Sequence, residues 1–237
     1  MGRNLGHSVV IDFCGLPGTG KSTVSHIVAQ RLRELGHSVL EPSYGLDHEC
    51  SSTGRIARKM INATTYALFD IHFFKVGLKL RETQSLFSTI KLVTNHYYIK
   101  NSIRKKQAER FLIFDQGLVQ SMWSILYGNQ GMSTFLLDYC SNRLNWDGRK
   151  AFVIYLYAPY NTVTSRIQER GNDASRLGKD IENGQVDLSD YDRIFDQILS
   201  SIQKSDPTSD LVKVLRIENG NDSPVTCANN VLDHLNI

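Results

Sequence analysis

Gly15-Leu16-Pro17-Gly18-Thr19-Gly20-Lys21-Ser22-Thr23 joins an apolar run, Val9 to Cys14, to a helical pattern in which Val24, Ile27, Val28, Leu32 and Leu35 recur and Gly36 supplies a stop. The segment satisfies G-x-x-x-x-G-K-[ST] at every fixed position, in the strand–turn–helix context that gives this pattern its meaning. Glycines let the backbone wrap closely and turn its N–H groups inward. The helix that follows adds its positive N-terminal end. Such a turn suits a phosphate group, with Lys21 reaching toward the outer phosphates and the Ser22 hydroxyl placed for Mg²⁺.

Four more short apolar runs lie downstream, at 38–41, 111–115, 151–158 and 211–217. They are rich in β-branched and aromatic residues, as strands buried on both faces should be. Helical patterns separate them. This alternation predicts a three-layer αβα sandwich around a five-stranded parallel sheet. Two intervals exceed a plain crossover. Residues 42–110 read as an inserted helical region, and 170–190, with Gly171, Gly178 and Gly184 among polar residues, as a mobile loop. Both follow the C-terminal ends of strands or an adjoining helix, where open α/β sheets bind ligands.

The remaining composition narrows the class. The chain has 237 residues, 41% hydrophobic and 22% charged, with 5 prolines. That excludes a rod, a collagen and a largely disordered chain. One α/β domain over 1–237, with the two insertions, accounts for the length. A net charge of +3 is too mild to argue for nucleic acid or a membrane surface, but suits an anionic small ligand. Cys14, Cys50, Cys140 and Cys227 are scattered with no C-x-x-C spacing, which argues for reduced thiols rather than a zinc site or disulfides. Asp47-His48-Glu49-Cys50 reads as a polar loop rather than a metal site. No apolar run approaches membrane-spanning length, no signal-peptide core is found, and Gly6 breaks the myristoylation pattern. The expected location is the cytoplasm.

Other residues extend the chemistry. The run 111–115 ends in Asp115, which a parallel sheet places at the same crevice as Lys21. Asp115 is a candidate metal partner, with Ser22, and a candidate base. Glu41, before Pro42, is the other candidate base. Arg166 and Arg170 share a helix face at i and i+4, and Arg176 and Lys179 follow. Cations there suit stabilisation of a phosphoryl group in transfer. Tyr66, Phe69, Phe73 and Phe74 at helical spacing stack an aromatic acceptor or simply fill core, and the basic run from Lys100 to Arg110 reads as a solvated helix end. No N-K-x-D guanine motif is present.

In this order these pieces resemble the nucleoside and nucleotide kinase group of P-loop proteins, especially its thymidylate kinase and deoxynucleoside kinase branch. The Gly15–Thr23 segment looks like that branch's phosphate loop, Glu41-Pro42 is similar to its Glu-Pro pair, Asp115 falls at its third-strand acid, and Arg166-Ile167 with Arg170 looks like the start of its arginine-bearing lid. The resemblance implies ATP and Mg²⁺, a helical acceptor-binding region at 42–110 and a lid at 170–190. It implies that Gly15, Leu16, Pro17, Gly18, Thr19, Gly20, Lys21, Ser22 and Thr23 hold the nucleotide. It also implies catalytic roles for Lys21, Asp115, Glu41, Arg166, Arg170 and Arg176, with the first lid arginine on adenine. The loop Glu218-Asn219-Gly220-Asn221 would border that base. Dimers are common in the group, so a homodimer is an expectation. Two departures matter. Pro17 stands where thymidylate kinases usually carry an acid, and Gln116 where an arginine normally follows the strand-end acid. A glutamine hydrogen-bonds a hydroxyl or base edge but does not neutralise a phosphate. The expected activity is transfer of the γ-phosphoryl of Mg-ATP to a nucleoside or nucleotide. A kinase of another hydroxyl metabolite, and an ATP-binding switch, stand as alternatives.

Overall fold

Alternation along the strands sets the layers. In β1 (Val9–Cys14), Val10 and Cys14 pack into one apolar cluster and Ile11 and Phe13 into another on the opposite face. The structure, a computed structural model, describes residues 8–44, 86–105, 109–127, 144, 146–170, 176–183, 187–205, 211–220 and 223–236.

In chain order the described elements are β1, α1 (Lys21–Glu34), β2 (Val39–Leu40), α2 (Leu86–Lys105), β3 (Phe111–Phe114), α3 (Leu118–Leu126), β4 (Ala151–Tyr157), α4 (Tyr160–Glu169), α5 (Arg176–Glu182), α6 (Leu188–Ser205), β5 (Val212–Glu218) and α7 (Pro224–Leu235). The sheet is parallel throughout, in the order β2-β3-β1-β4-β5. Val10 pairs with Leu112 on one side and Ala151 on the other, so β1 is central. Helices α1 and α7 cover the Ile11–Phe13 face, and α2, α3 and α6 cover the other. Because both faces are covered, β1, β3 and β4 read as nearly continuous apolar runs. The edge strand β5, whose sequence interleaves Lys213, Arg216 and Glu218 with apolar residues, stays half-exposed.

Helix α1 shows how local sequence and packing agree. Val24, Val28 and Leu32 are fully buried, each stabilising by roughly 1.5–3 kcal/mol relative to exposure. Gly36, at φ 83°, donates its N–H to the Arg33 carbonyl, and His37 donates to that of Leu32. This pair of bonds requires the left-handed residue and ends the helix. Leu35, expected on the apolar face, is instead 57% exposed, because the helix stops at Glu34 and the capping turn swings it outward.

The region 170–190 differs from the expected loop. Residues 176–182 form α5, because Leu177 and Ile181 lie one turn apart and pack into the core. Within 42–110, α2 is helical, while residues 45–85 lie outside the described residues. So do Asp47-His48-Glu49-Cys50 and the aromatic group Tyr66, Phe69, Phe73 and Phe74. Among the described residues no helix is long and apolar enough to cross a membrane.

Candidate active site

β1 delivers the chain into the glycine turn at the C-terminal edge of the sheet. Gly15 adopts φ 145°, and a Cβ there would lie 2.1 Å from the Leu156 carbonyl oxygen of β4. Gly20 adopts φ 86°, and a Cβ would lie 2.4 Å from Asn219 Nδ2. Neither position admits a side chain, so the loop lies tightly against its neighbours. The Thr19 hydroxyl donates to the Leu16 carbonyl at 2.8 Å and closes the loop on itself.

Lys21 opens α1 and folds back over this loop. Its Nζ donates to the carbonyls of Gly15 at 2.8 Å and Leu16 at 2.7 Å. Burial lowers its pKa to about 8, with the Cys14 and Asp115 charges opposing and Arg170 adding to the shift. The ammonium is therefore held on the loop's own carbonyls. Ser22 Oγ donates to Asp115 Oδ2 at 2.9 Å, joining α1 to the end of β3. Asp115 Oδ1 is shielded and has no hydrogen-bond partner. A hydroxyl beside a carboxylate with an unsatisfied oxygen fits a hard divalent cation such as Mg²⁺.

The arginines are placed by α4. Arg166 Nη1 donates to the carbonyls of Asn219 at 3.0 Å and Gly18 at 3.4 Å, and Nη2 to that of Gly220 at 3.2 Å. Asn219 is buried, and its Nδ2 donates to the Thr19 carbonyl at 2.8 Å. The Cys227 thiol donates to Asn219 Oδ1 at 3.3 Å. Arg166 and Asn219 thus tie the phosphate loop to the turn after β5. Arg170 caps α4, and its charge is felt at Lys21. Arg176 begins α5, but its side chain lies outside the described residues.

Glu41 follows β2, the strand beside β3. His26 Nδ1 donates to Glu41 Oε1 at 3.1 Å, and Arg33 Nη1 lies 2.8 Å from Oε2 as an ion pair, off the hydrogen-bond line. The structure joins Lys21, Ser22 and Asp115, whereas the bonds of Glu41 go to the outer side of α1. Gln116 is exposed in the turn after β3.

Three groups were not singled out by sequence reasoning. Asp12, fully buried in β1, accepts at Oδ2 from the backbone N–H of Leu118 at 2.9 Å and Val119 at 3.4 Å, and from Trp146 Nε1 at 3.3 Å. It caps α3 from another strand. Burial raises its pKa to about 7, although these donors oppose the shift. The signal was available: one acid interrupts an apolar strand. Gln120, buried in α3, accepts the Gly15 N–H at 3.1 Å. Its partner lies too far along the chain for local pattern to reveal. His96, buried in α2, meets Ser121 Oγ at 2.9 Å. That hydroxyl donates to the Leu118 carbonyl, so it accepts from His96 Nδ1. Burial lowers the imidazole pKa to about 3, so the ring is neutral.

No family model matches the chain. A probable thymidylate kinase of Caldivirga maquilingensis is 29% identical over 165 residues, 69% of this chain and 69% of that protein. Among solved structures, thymidylate kinase from Ehrlichia chaffeensis shares the fold, with TM-score 0.51 and 15% identity over 97% of this chain and 100% of that one. Deoxyadenosine kinase from M. mycoides aligns at TM-score 0.47 with 17% identity, over 96% of this chain and 98% of that one. With the sheet order and the glycine turn, the likeness to the Ehrlichia enzyme shows that the chain has the fold of that kinase. In sequence it is distantly similar to the probable thymidylate kinase.

Proposed function

We infer that the chain transfers the γ-phosphoryl group of Mg-ATP to a nucleoside or nucleotide acceptor, in the cytoplasm. The observation that carries this reading is the Lys21 ammonium stored on the Gly15 and Leu16 carbonyls, beside the Ser22–Asp115 pair. The related kinases support the acceptor class, since the Caldivirga relative is a probable thymidylate kinase.

The residues divide the work as follows. Backbone N–H groups of Gly18 to Thr23 and the start of α1 bind the phosphates. Lys21 leaves its carbonyls and follows the β- and γ-oxygens. Ser22 and Asp115 would hold Mg²⁺, which supplies neutralisation of charge across the phosphates. Arg170, whose field already reaches Lys21, adds positive charge as the phosphoryl group moves. Arg166 keeps the loop and the 219–220 turn in register around the base. Arg176, at the head of α5, completes the lid on closure. Asp115, or Glu41 at the end of the strand beside β3 and held by His26 and Arg33, takes the acceptor proton. Catalysis is then mainly positioning and electrostatics.

One observation favours a second reading of the acceptor. Gln116 stands exposed directly after Asp115 and carries no charge to meet an acceptor phosphate. An unphosphorylated hydroxyl acceptor, nucleoside or otherwise, matches that chemistry. The test is ADP release from Mg-ATP against deoxynucleosides, nucleoside monophosphates, sugars and aminoglycosides, with Lys21→Ala alongside. A Lys21-dependent signal with nucleosides or monophosphates is expected. A signal confined to sugars or aminoglycosides moves the acceptor outside nucleosides. Silence across the panel with ATP binding intact sets the kinase reading below that of a nucleotide-binding switch.

A further inference from the structure

Gly15 is bonded on both sides of its residue. Its N–H goes to Gln120 Oε1 of α3 at 3.1 Å, and its carbonyl accepts from Lys21 Nζ at 2.8 Å. Gln120 is 6% exposed and Lys21 8% exposed, so water competes little for either bond. Gly15 needs outside help because its φ of 145° is open only to glycine, and a glycine backbone has the most freedom to leave such a state. The bond from Gln120 removes that freedom at the point where β1 becomes loop. Helix α3 is itself a firm base for it. Asp12 caps its first turn, and the neighbour of Gln120, Ser121, is bonded to His96 of α2.

We propose that Gln120 is a positioning residue for phosphoryl transfer: by holding the Gly15 amide it fixes the Gly15 carbonyl that stores the Lys21 ammonium, and so keeps the phosphate loop in its binding shape. The inference rests on the kinase reading above. A glutamine oxygen at this distance acts on the loop backbone and not on the reacting atoms, so its effect falls on nucleotide binding before chemistry.

The experiment compares wild type, Gln120→Met, Gln120→Glu and Lys21→Met. Methionine keeps length and apolar volume but offers no comparable acceptor; glutamate keeps an oxygen for the Gly15 amide. Three readouts are taken: Kd for a fluorescent ATP analogue without acceptor, KM and kcat for ATP with the best acceptor of the panel, and Tm. Loss of one hydrogen bond corresponds to about a three- to ten-fold change. The expected result is a rise of that size in Kd and KM for Gln120→Met, a smaller fall in kcat, and recovery of at least half the loss in Gln120→Glu. A residue that merely supports the fold lowers Tm and leaves the Kd of the folded protein within two-fold of wild type. That outcome overturns the proposal, as does a glutamate variant no better than methionine. Should Gln120→Met not fold, the Glu variant decides alone: nucleotide affinity within three-fold of wild type supports the proposal, and a larger loss overturns it. Wild type and Lys21→Met together separate the two readings. Absence of turnover in wild type with every acceptor of the panel removes the kinase reading itself, whereas an active wild type and an inactive Lys21→Met beside an unaffected Gln120→Met remove only the role of Gln120.

Discussion

Asp12 Oδ2 accepts the Leu118 backbone N–H at 2.9 Å, so a carboxylate in β1 caps a helix 106 residues further along the chain. The cap holds α3 directly behind the turn that carries Asp115. Its cost is a fully buried acid whose Oδ1 has no partner.

That cost is visible as pH dependence. The pKa of Asp12 rises from 3.8 to about 7 on folding, because burial disfavours the charged form. Between these values the folded state binds the extra proton, so the contribution to stability is complete below pH 3.8 and is lost as pH rises through about 7. Asparagine keeps an acceptor for Leu118 and carries no charge. The Tm of wild type relative to Asp12→Asn is therefore expected to be lower at pH 8 than at pH 5, measured by scanning calorimetry. An unchanged difference across that range removes the titration from Asp12.

Lys21 sets a second pH limit. Its pKa, lowered to about 8 by burial, describes the free protein, and kcat/KM for ATP reports the free enzyme. We expect kcat/KM to fall as pH rises through about 8, as the ammonium that must meet the phosphates deprotonates. A Lys21→Arg variant keeps its charge and loses that limb, even at lower activity. A basic limb that persists in Lys21→Arg belongs to another group.

The Ser22–Asp115 pair predicts a metal phenotype. Ser22→Ala and Asp115→Asn each remove one oxygen ligand or its charge, and the Mg²⁺ concentration giving half-maximal ADP release is expected to rise by about ten-fold, the size of one lost charge-assisted interaction. Chelation by EDTA is expected to stop wild-type turnover. Glu41→Gln, by contrast, is expected to lower kcat without moving the Mg²⁺ midpoint. A shared shift in all three variants contradicts this division of roles.

Arg166 bridges three carbonyls, of Gly18, Asn219 and Gly220. A lysine ammonium has no planar fork to span them. Arg166→Lys is expected to raise KM for ATP by about ten-fold, at the lower end of what hydrogen bonds to a charged group contribute. Combining it with Asn219→Ala is expected to add less than the sum of the two, because they hold the same turn. Strict additivity in steady-state kinetics means that the two act separately.

The sequence alone determined what is contiguous. The glycine turn, the strand before it and the helix after it are encoded within Val9 to Gly36, because φ-permissive residues, apolar periodicity and a capping glycine act over a few residues. The apolar runs of β3 and β4 were legible for the same reason, since burial on both faces leaves a composition mark on the strand itself. Helix α5 was not, because the anchors Leu177 and Ile181 stand among glycines and charges that read as loop, and only the core they enter makes them a helix. Tertiary structure decided the rest of the site. Gly15 meets Gln120 across 105 residues, Arg166 meets Gly18 across 148, and Asn219 meets Thr19 across 200. These contacts depend on strand order and register, which bring the ends of β1, β3, β4 and β5 to one edge. A hydrogen bond acts over about 3 Å, so local pattern names the donors and acceptors, but only the folded sheet selects the pairs.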